Sequence, residues 1–272
     1  MFIARLATAV VLLAACISAL LFLPNAWWTA LLLPVLLAAS REWAALAGMQ
    51  GVARWIFAGL VLASAVAAWL LAASYPAAAS RLAPPEAVIY GAGCAFWLLI
   101  AVPWLARLWP VKSGFVLGSA GLIVLVPACV AAARLQVSPG RLLAVLAIIW
   151  LADTAAYLSG RAWGRHKLAP SISPGKTWEG VAGAGVAVAV YYFVLSHVTP
   201  EWGWWHGYGG AILFAGVAMM SLVGDLFESA IKRQAGVKDS GKLLPGHGGV
   251  LDRIDSLTAA LPMAAVLMPY AG

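Results

Sequence analysis

The chain has 272 residues, of which 64% are hydrophobic and only 10% are charged, and its mean hydropathy is +0.93. An average soluble domain has roughly a quarter of its residues charged, so a water-soluble globule, a disordered chain and a collagen-like repeat are excluded, and the chain belongs in a bilayer. The net charge of +7 would in a polar protein suggest nucleic acid, but here the basic residues lie between apolar segments and form no stripe, so nucleic acid is not an expected partner.

Arg5 followed by a long apolar run has the charge and hydrophobic core of a signal peptide. Because apolar segments continue to the C-terminus, a retained first membrane helix is the expectation. Windows long enough to cross a hydrocarbon layer about 30 Å thick fall near residues 6–24, 27–44, 55–74, 87–106, 114–133, 142–160, 180–199, 207–224 and 255–271. The expected fold is therefore all-α, a polytopic integral membrane protein with about nine transmembrane helices. Eight remain open, because the short turn at Pro24-Asn25 also suits a re-entrant first element and Pro262 interrupts the last window. Pro34, Pro103 and Pro127 lie inside apolar windows and are compatible with kinked membrane helices. Cys16, Cys94 and Cys129 sit in apolar runs without the spacing of a metal knuckle or redox pair, and read as packing residues.

With the N-terminus cytoplasmic and nine crossings, one side holds Arg5, Arg41, Arg54, Arg107, Lys112, Arg161, Arg165, Lys167, Lys176 and the five basic residues of 232–253, fourteen in all. The other side holds Arg81, Arg134 and Arg141. This excess places the polar segments 161–179 and 225–254 together on the cytoplasmic face. The first 150 residues hold only two of the ten carboxylates, Glu42 and Glu86. Residues 1–140 accordingly read as a transmembrane scaffold, and 141–272 as the region that carries the chemistry.

Asp225-Leu-Phe-Glu228-Ser229-Ala-Ile-Lys232-Arg233 puts Asp225, Glu228 or Ser229, and Lys232 on one helical face at a membrane boundary. That stripe suits either a salt-bridged helix end or a cavity that holds phosphate oxygens and a divalent ion. A glycine-rich turn, Pro245-Gly246-His247-Gly248-Gly249, then leads to Asp252, Arg253 and Asp255 at the start of the last helix. The two carboxylates suit a capped first turn as well as they suit Mg²⁺ on a polyphosphate. Asp225 and Asp252 are the best ligand candidates. His247 reads equally as a turn residue or a phosphate contact. The scattered histidines and remote cysteines do not suit zinc.

Asp153 follows an apolar run, where an ionisable group usually faces a cavity. After it, Ser173, Lys176, Thr177 and Glu179 offer donors, a mobile cation and a carboxylate suited to a phosphorylated ligand, although a basic loop can serve topology alone. Neither polar segment has Walker A spacing, and Gly91-x-Gly93 lacks a Rossmann context.

Ser229-x-x-Lys232-Arg233-x(4)-Lys238-Asp239-x(5)-Pro245-Gly246-His247-Gly248-Gly249-x-x-Asp252-Arg253-x-Asp255 resembles the signature of the bacterial phosphatidate cytidylyltransferase, or CDP-diacylglycerol synthase, family. The block Asp153-Thr-x-Ala156-Tyr157 to Ser173-Pro174-x-Lys176-Thr177-x-Glu179-Gly180 resembles that family's preceding block. The resemblance implies transfer of the cytidylyl group of CTP to phosphatidate in the bacterial inner membrane, with Mg²⁺ as cofactor and K⁺ as a second ion. It further implies a homodimer with a funnel-like polar cavity open to cytoplasm and membrane. By motif position it makes Asp225 and Asp252 metal ligands and catalytic groups, together with Lys232, Arg233 and Asp255. Asp153, Ser173, Lys176, Thr177, Ser229, Lys238, Asp239, His247, Gly248, Gly249 and Arg253 become substrate-binding candidates. A transporter of a phosphorylated anion, a structural membrane protein and a CTP-dependent lipid-alcohol kinase are the rival readings.

Overall fold

The computed structural model describes residues 14–75, 82–198, 205–244, 246 and 248–270. After a helical stretch α1 (14–22) come α2 (Asn25–Leu46), α3 (Val52–Ala73), α4 (Pro84–Arg107), α5 (Gly114–Gln136) and α6 (Pro139–Trp163). A two-stranded antiparallel hairpin, β1 (Lys167–Ala169) and β2 (Ser173–Thr177), leads to α7 (Trp178–Val198), α8 (Gly207–Gln234) and α9 (Leu251–Leu267). Among the described residues seven helices, α2 to α8, are long and apolar enough to cross a membrane. Part of the first apolar window lies outside the described residues, and α9 has only 17 residues.

Local chemistry starts and bends these helices. Pro84 and Pro85 open α4, where a missing N–H costs nothing, and Glu86 accepts the Ala83 N–H at 3.0 Å. Ser113 caps α5 by accepting from Val116 N at 3.4 Å. Helices α2 and α5 run through Pro34 and Pro127. In α4 the backbone widens into a π turn at Trp97–Ala101 just before Pro103, whose ring would otherwise press on the preceding turn and whose missing N–H breaks the ladder.

Helix α9 lies at the centre of the bundle, against α8, α5, α4, α6 and α2. Its small residues Ala259, Ala260, Ala264 and Ala265 are buried and let neighbouring backbones approach. Gly224 of α8 lies so close to the Asp255 carbonyl that a Cβ there would collide with it. Protein rather than lipid therefore surrounds α9, which explains how it carries Pro262, Ser256 and Thr258. Helix α7 is the opposite case. Only Gly180 and Val188 are buried along it, and Val186, Val190, Phe193 and Val194 are exposed, as lipid contact requires.

The helix ends sort into two faces. On one, Gln234 at the end of α8 donates to Trp109 O at 2.9 Å and accepts from Val111 N at 3.2 Å, and Glu42 near the end of α2 meets residues 240–251. On the other, Asn25 donates to Ala133 O and Gln136 Oε1, both at 2.8 Å, and Arg134 pairs with buried Glu86 at 3.2 Å. These faces match the division of the basic residues by alternating crossings. Arg5 and Arg81 lie outside the described residues.

Candidate active site

The last turns of α8 carry the polar stripe that helical spacing predicts. Phe227 faces the core, ringed by Trp43, Phe96, Trp97 and Trp104 at centroid separations of 5.4–6.4 Å, and this fixes the rotation of the helix. With Phe227 inward, Asp225 turns toward Lys176 of β2, Oδ2 to Nζ 2.7 Å, and Ser229 Oγ donates to Asp225 Oδ1 at 3.4 Å. One turn further on, buried Lys232 sets its Nζ between Glu228 Oε2 at 2.5 Å and Asp252 Oδ1 at 2.6 Å. Asp255 completes the group within electrostatic reach of Asp225 and Glu228. Four carboxylates of α8 and α9 thus face two ammonium groups, Lys176 and Lys232.

The glycine-rich segment folds against Asp252. Leu244 N donates to Gly248 O at 3.0 Å, and Gly248 takes φ +83, a left-handed conformation that glycine adopts without strain. Gly249 N then donates to Asp252 Oδ2 at 2.8 Å and Ser240 N to the same oxygen at 2.9 Å. Burial opposes ionisation of Asp252, but Lys232 and the Gly249 and Ser240 N–H groups outweigh it and hold the carboxyl below its ordinary pKa. Asp252 thus stands in the first turn of α9, holds the N–H groups of the loop just before that helix, and is the anionic partner of Lys232.

The hairpin brings the other loop to the same end of the bundle. Thr177 is buried, and its hydroxyl accepts from Gly180 N at 3.1 Å at the start of α7. Glu179 accepts from His166 Nδ1 at 2.7 Å and closes the base of the hairpin. A cavity of about 700 Å³ opens between α6, α7 and α8. Asp153, Ser173, Lys176, Thr177 and Asp225 line its polar end, and Val188, Phe214, Ala215, Ala218 and Met219 its apolar wall.

Other predicted residues take different places. Arg233 joins the hairpin to the turn after α8, with Nε on Ile172 O at 3.2 Å and Nη1 on Val237 O at 3.1 Å. Lys238, Asp239 and Arg253 are exposed around the glycine-rich loop. His247 lies outside the described residues. Sequence reading missed one site neighbour, Glu42, and the burial of another, Glu228. Glu228 was legible as part of the α8 stripe, but its burial was not. Glu42 carried no motif, yet its carboxylate accepts from Ser240 Oγ, Val250 N and Leu251 N at 3.1, 3.1 and 2.8 Å. Its single advance signal was to be one of two carboxylates in the first 150 residues, on the face that also holds 225–254.

Fold and site together define a polytopic helical membrane protein in which Asp153, Lys176 and Asp225 line the polar end of an apolar cleft and the Glu228, Lys232 and Asp252 cluster lies on the adjoining helices α8 and α9. Comparison with known proteins gives the family. Residues 3–271 match the cytidylyltransferase family, and the chain belongs to it. It is 39% identical over 276 residues to a phosphatidate cytidylyltransferase of Pseudomonas aeruginosa, with 98% of this chain and 97% of that protein aligned. Proteins of the same name from Haemophilus influenzae and Brucella suis are each 52% identical, over 123 and 117 residues, which are 44% and 43% of this chain and 43% and 42% of theirs.

Proposed function

We infer that the chain transfers the cytidylyl group of CTP to phosphatidate and releases CDP-diacylglycerol and diphosphate. The observation that carries this reading is the end-to-end likeness to a protein named for that activity. The cleft agrees with it chemically. A phosphate oxygen of phosphatidate attacks the α-phosphorus of CTP, a new P–O bond forms, and the bond to the β-phosphate oxygen breaks as diphosphate leaves. At neutral pH a phosphate monoester is already largely ionised, so the attacking oxygen needs no strong base. The main demand is to bring two anions together, which calls for fixed cationic groups. Lys176, which lines the cleft, and Lys232, paired with Glu228 and Asp252, are the cationic groups that this reading assigns to phosphate oxygens. The wall formed by Val188, Phe214, Ala215 and Ala218 suits acyl chains that remain in lipid while the headgroup reaches Lys176.

Asp225 and Asp252, hard oxygen donors, are the proposed ligands of a divalent cation. Among the described residues no three His, Cys, Asp or Glu side chains form a ligand cage, and Mg²⁺ usually takes one or two carboxylates, waters and substrate phosphates. The carboxylate excess around Lys176 and Lys232 supplies the charge such an ion needs. Mg²⁺ bound there would neutralise phosphate charge, and K⁺ is the proposed second ion. Asp225, part-exposed in the cleft, orients Lys176, while Asp252 orients Lys232. The reading includes a homodimer in a bacterial inner membrane with the N-terminus and the loops at 161–179 and 225–254 cytoplasmic.

The test is purified protein in phosphatidate-containing micelles with Mg²⁺ and CTP labelled at the α-phosphate. Label in lipid is the expected result. Unlabelled lipid with release of CDP would instead indicate a CTP-dependent kinase and overturn the assignment.

A further inference from the structure

Glu42 stands four residues before the end of α2, in the half of the chain that contributes none of the charged groups of the cleft. Its carboxylate binds one short stretch far away in sequence. It accepts from Val250 N at 3.1 Å and Leu251 N at 2.8 Å, where α9 begins, and from Ser240 Oγ at 3.1 Å. No side chain at Val250 caps α9, so Glu42 satisfies N–H groups that a helix start leaves open. Ser240 passes the contact on, since its backbone N–H donates to Asp252 Oδ2 at 2.9 Å. A continuous path therefore runs from α2 through Ser240 to the carboxylate that pairs with Lys232.

The loop is shaped around this carboxylate. A Cβ at Gly241 or at Gly249 would collide with Glu42, so the backbone can close on it only where those two positions lack a side chain. Glu42 is itself held from both sides. The Arg41 guanidinium lies 3.9 Å from the centre of the Trp55 ring, and Trp43 donates to Leu117 O at 2.8 Å while its ring stacks on Phe227. Such anchoring fixes the carboxylate before any ligand binds.

We propose that Glu42 is a positioning residue for cytidylyl transfer. It clamps the glycine-rich loop to α2 and, through Ser240, sets the orientation of Asp252. The proposal rests on the cytidylyl-transfer reading of the site, and one arm of its test does not depend on that reading. A carboxylate that only stabilised the fold would, on removal, lower the melting temperature and leave turnover per folded molecule unchanged.

Two measurements on Glu42→Ala test this. In substrate-free protein in detergent, amide hydrogen exchange of peptides covering 239–251 is expected to rise about tenfold while α3 and α6 stay protected. In the cytidylyl assay, kcat per folded molecule is expected to fall about ten- to a hundredfold with the KM for phosphatidate within about twofold, the range typical when a group that orients a ligand residue is lost. Glu42→Gln, whose amide oxygen still accepts from backbone N–H, is expected between wild type and Glu42→Ala. If Glu42→Ala does not fold, Glu42→Gln and Ser240→Ala carry the test, and reduced kcat in both with a native melting profile supports the proposal. Unchanged loop exchange in folded Glu42→Ala, or unchanged kcat in the folded variants, overturns it. The expected rise in loop exchange in Glu42→Ala, together with wild-type protein that transfers no label, would overturn the functional reading instead.

Discussion

Lys232 offers one ammonium group to two carboxylates, Glu228 and Asp252, while Lys176 answers Asp225 across the mouth of the cleft. Removing a carboxylate therefore changes the charge balance without removing bulk. Asp225→Asn and Asp252→Asn are each expected to lower kcat at least about a hundredfold in protein that keeps its native elution volume. Lys176→Ala is expected to act chiefly on substrate affinity, raising the KM for CTP about tenfold, since a charge-assisted hydrogen bond is worth roughly the corresponding free energy. Near-normal kcat in a folded Asp252→Asn protein would defeat its assignment, and unchanged KM and kcat would remove Lys176 from the site. Helical spacing made Asp225, Glu228, Ser229 and Lys232 legible as one stripe. The choice of Asp252 as the partner of Lys232 was not legible, because it depends on how α9 crosses α8 at Gly224.

Packing at the level of elements decides where that stripe points. Phe227 is fully enclosed by four aromatic rings from α2 and α4, and a phenylalanine truncated in a packed core costs roughly 3–5 kcal/mol. Phe227→Ala is expected to lower the thermal midpoint in detergent well below that of Phe193→Ala, a change on the exposed face of α7, and to reduce turnover because α8 loses its rotational anchor. Equal midpoints for the two variants would contradict the anchor. Among the described residues each of the nine apolar windows overlaps a helix, since length and hydropathy are local properties. The hairpin at 167–177 escaped that reading. Its strands are three and five residues long, rich in Lys, Ser, Pro and Gly, and are set by the closure of Glu179 on His166 and of Thr177 on Gly180 rather than by alternating hydrophobicity.

For the whole molecule, the division of basic residues and the two faces of helix ends agree. The face with 42, 109, 234 and 240–251 is the one the charge excess assigns to the cytoplasm. In protein lacking Cys16, Cys94 and Cys129, a cysteine replacing Lys242 is expected to react with an impermeant maleimide only after the membrane is opened. One replacing exposed Val137 is expected to react in intact spheroplasts. The reverse pattern would invert the orientation.

Composition alone placed the chain in a membrane, because 27 charges among 272 residues cannot cover a soluble surface. Motif spacing located the charged segments, since a helix repeats its face every three to four residues. Only the tertiary structure decided that α9 lies inside the bundle and α7 faces outward, although both fall in apolar windows of the sequence. Only it brought Glu42 to a loop about two hundred residues away. Hydropathy records how apolar a segment is, not which neighbours surround it, and a hydrogen bond between distant residues leaves no periodic trace in the sequence.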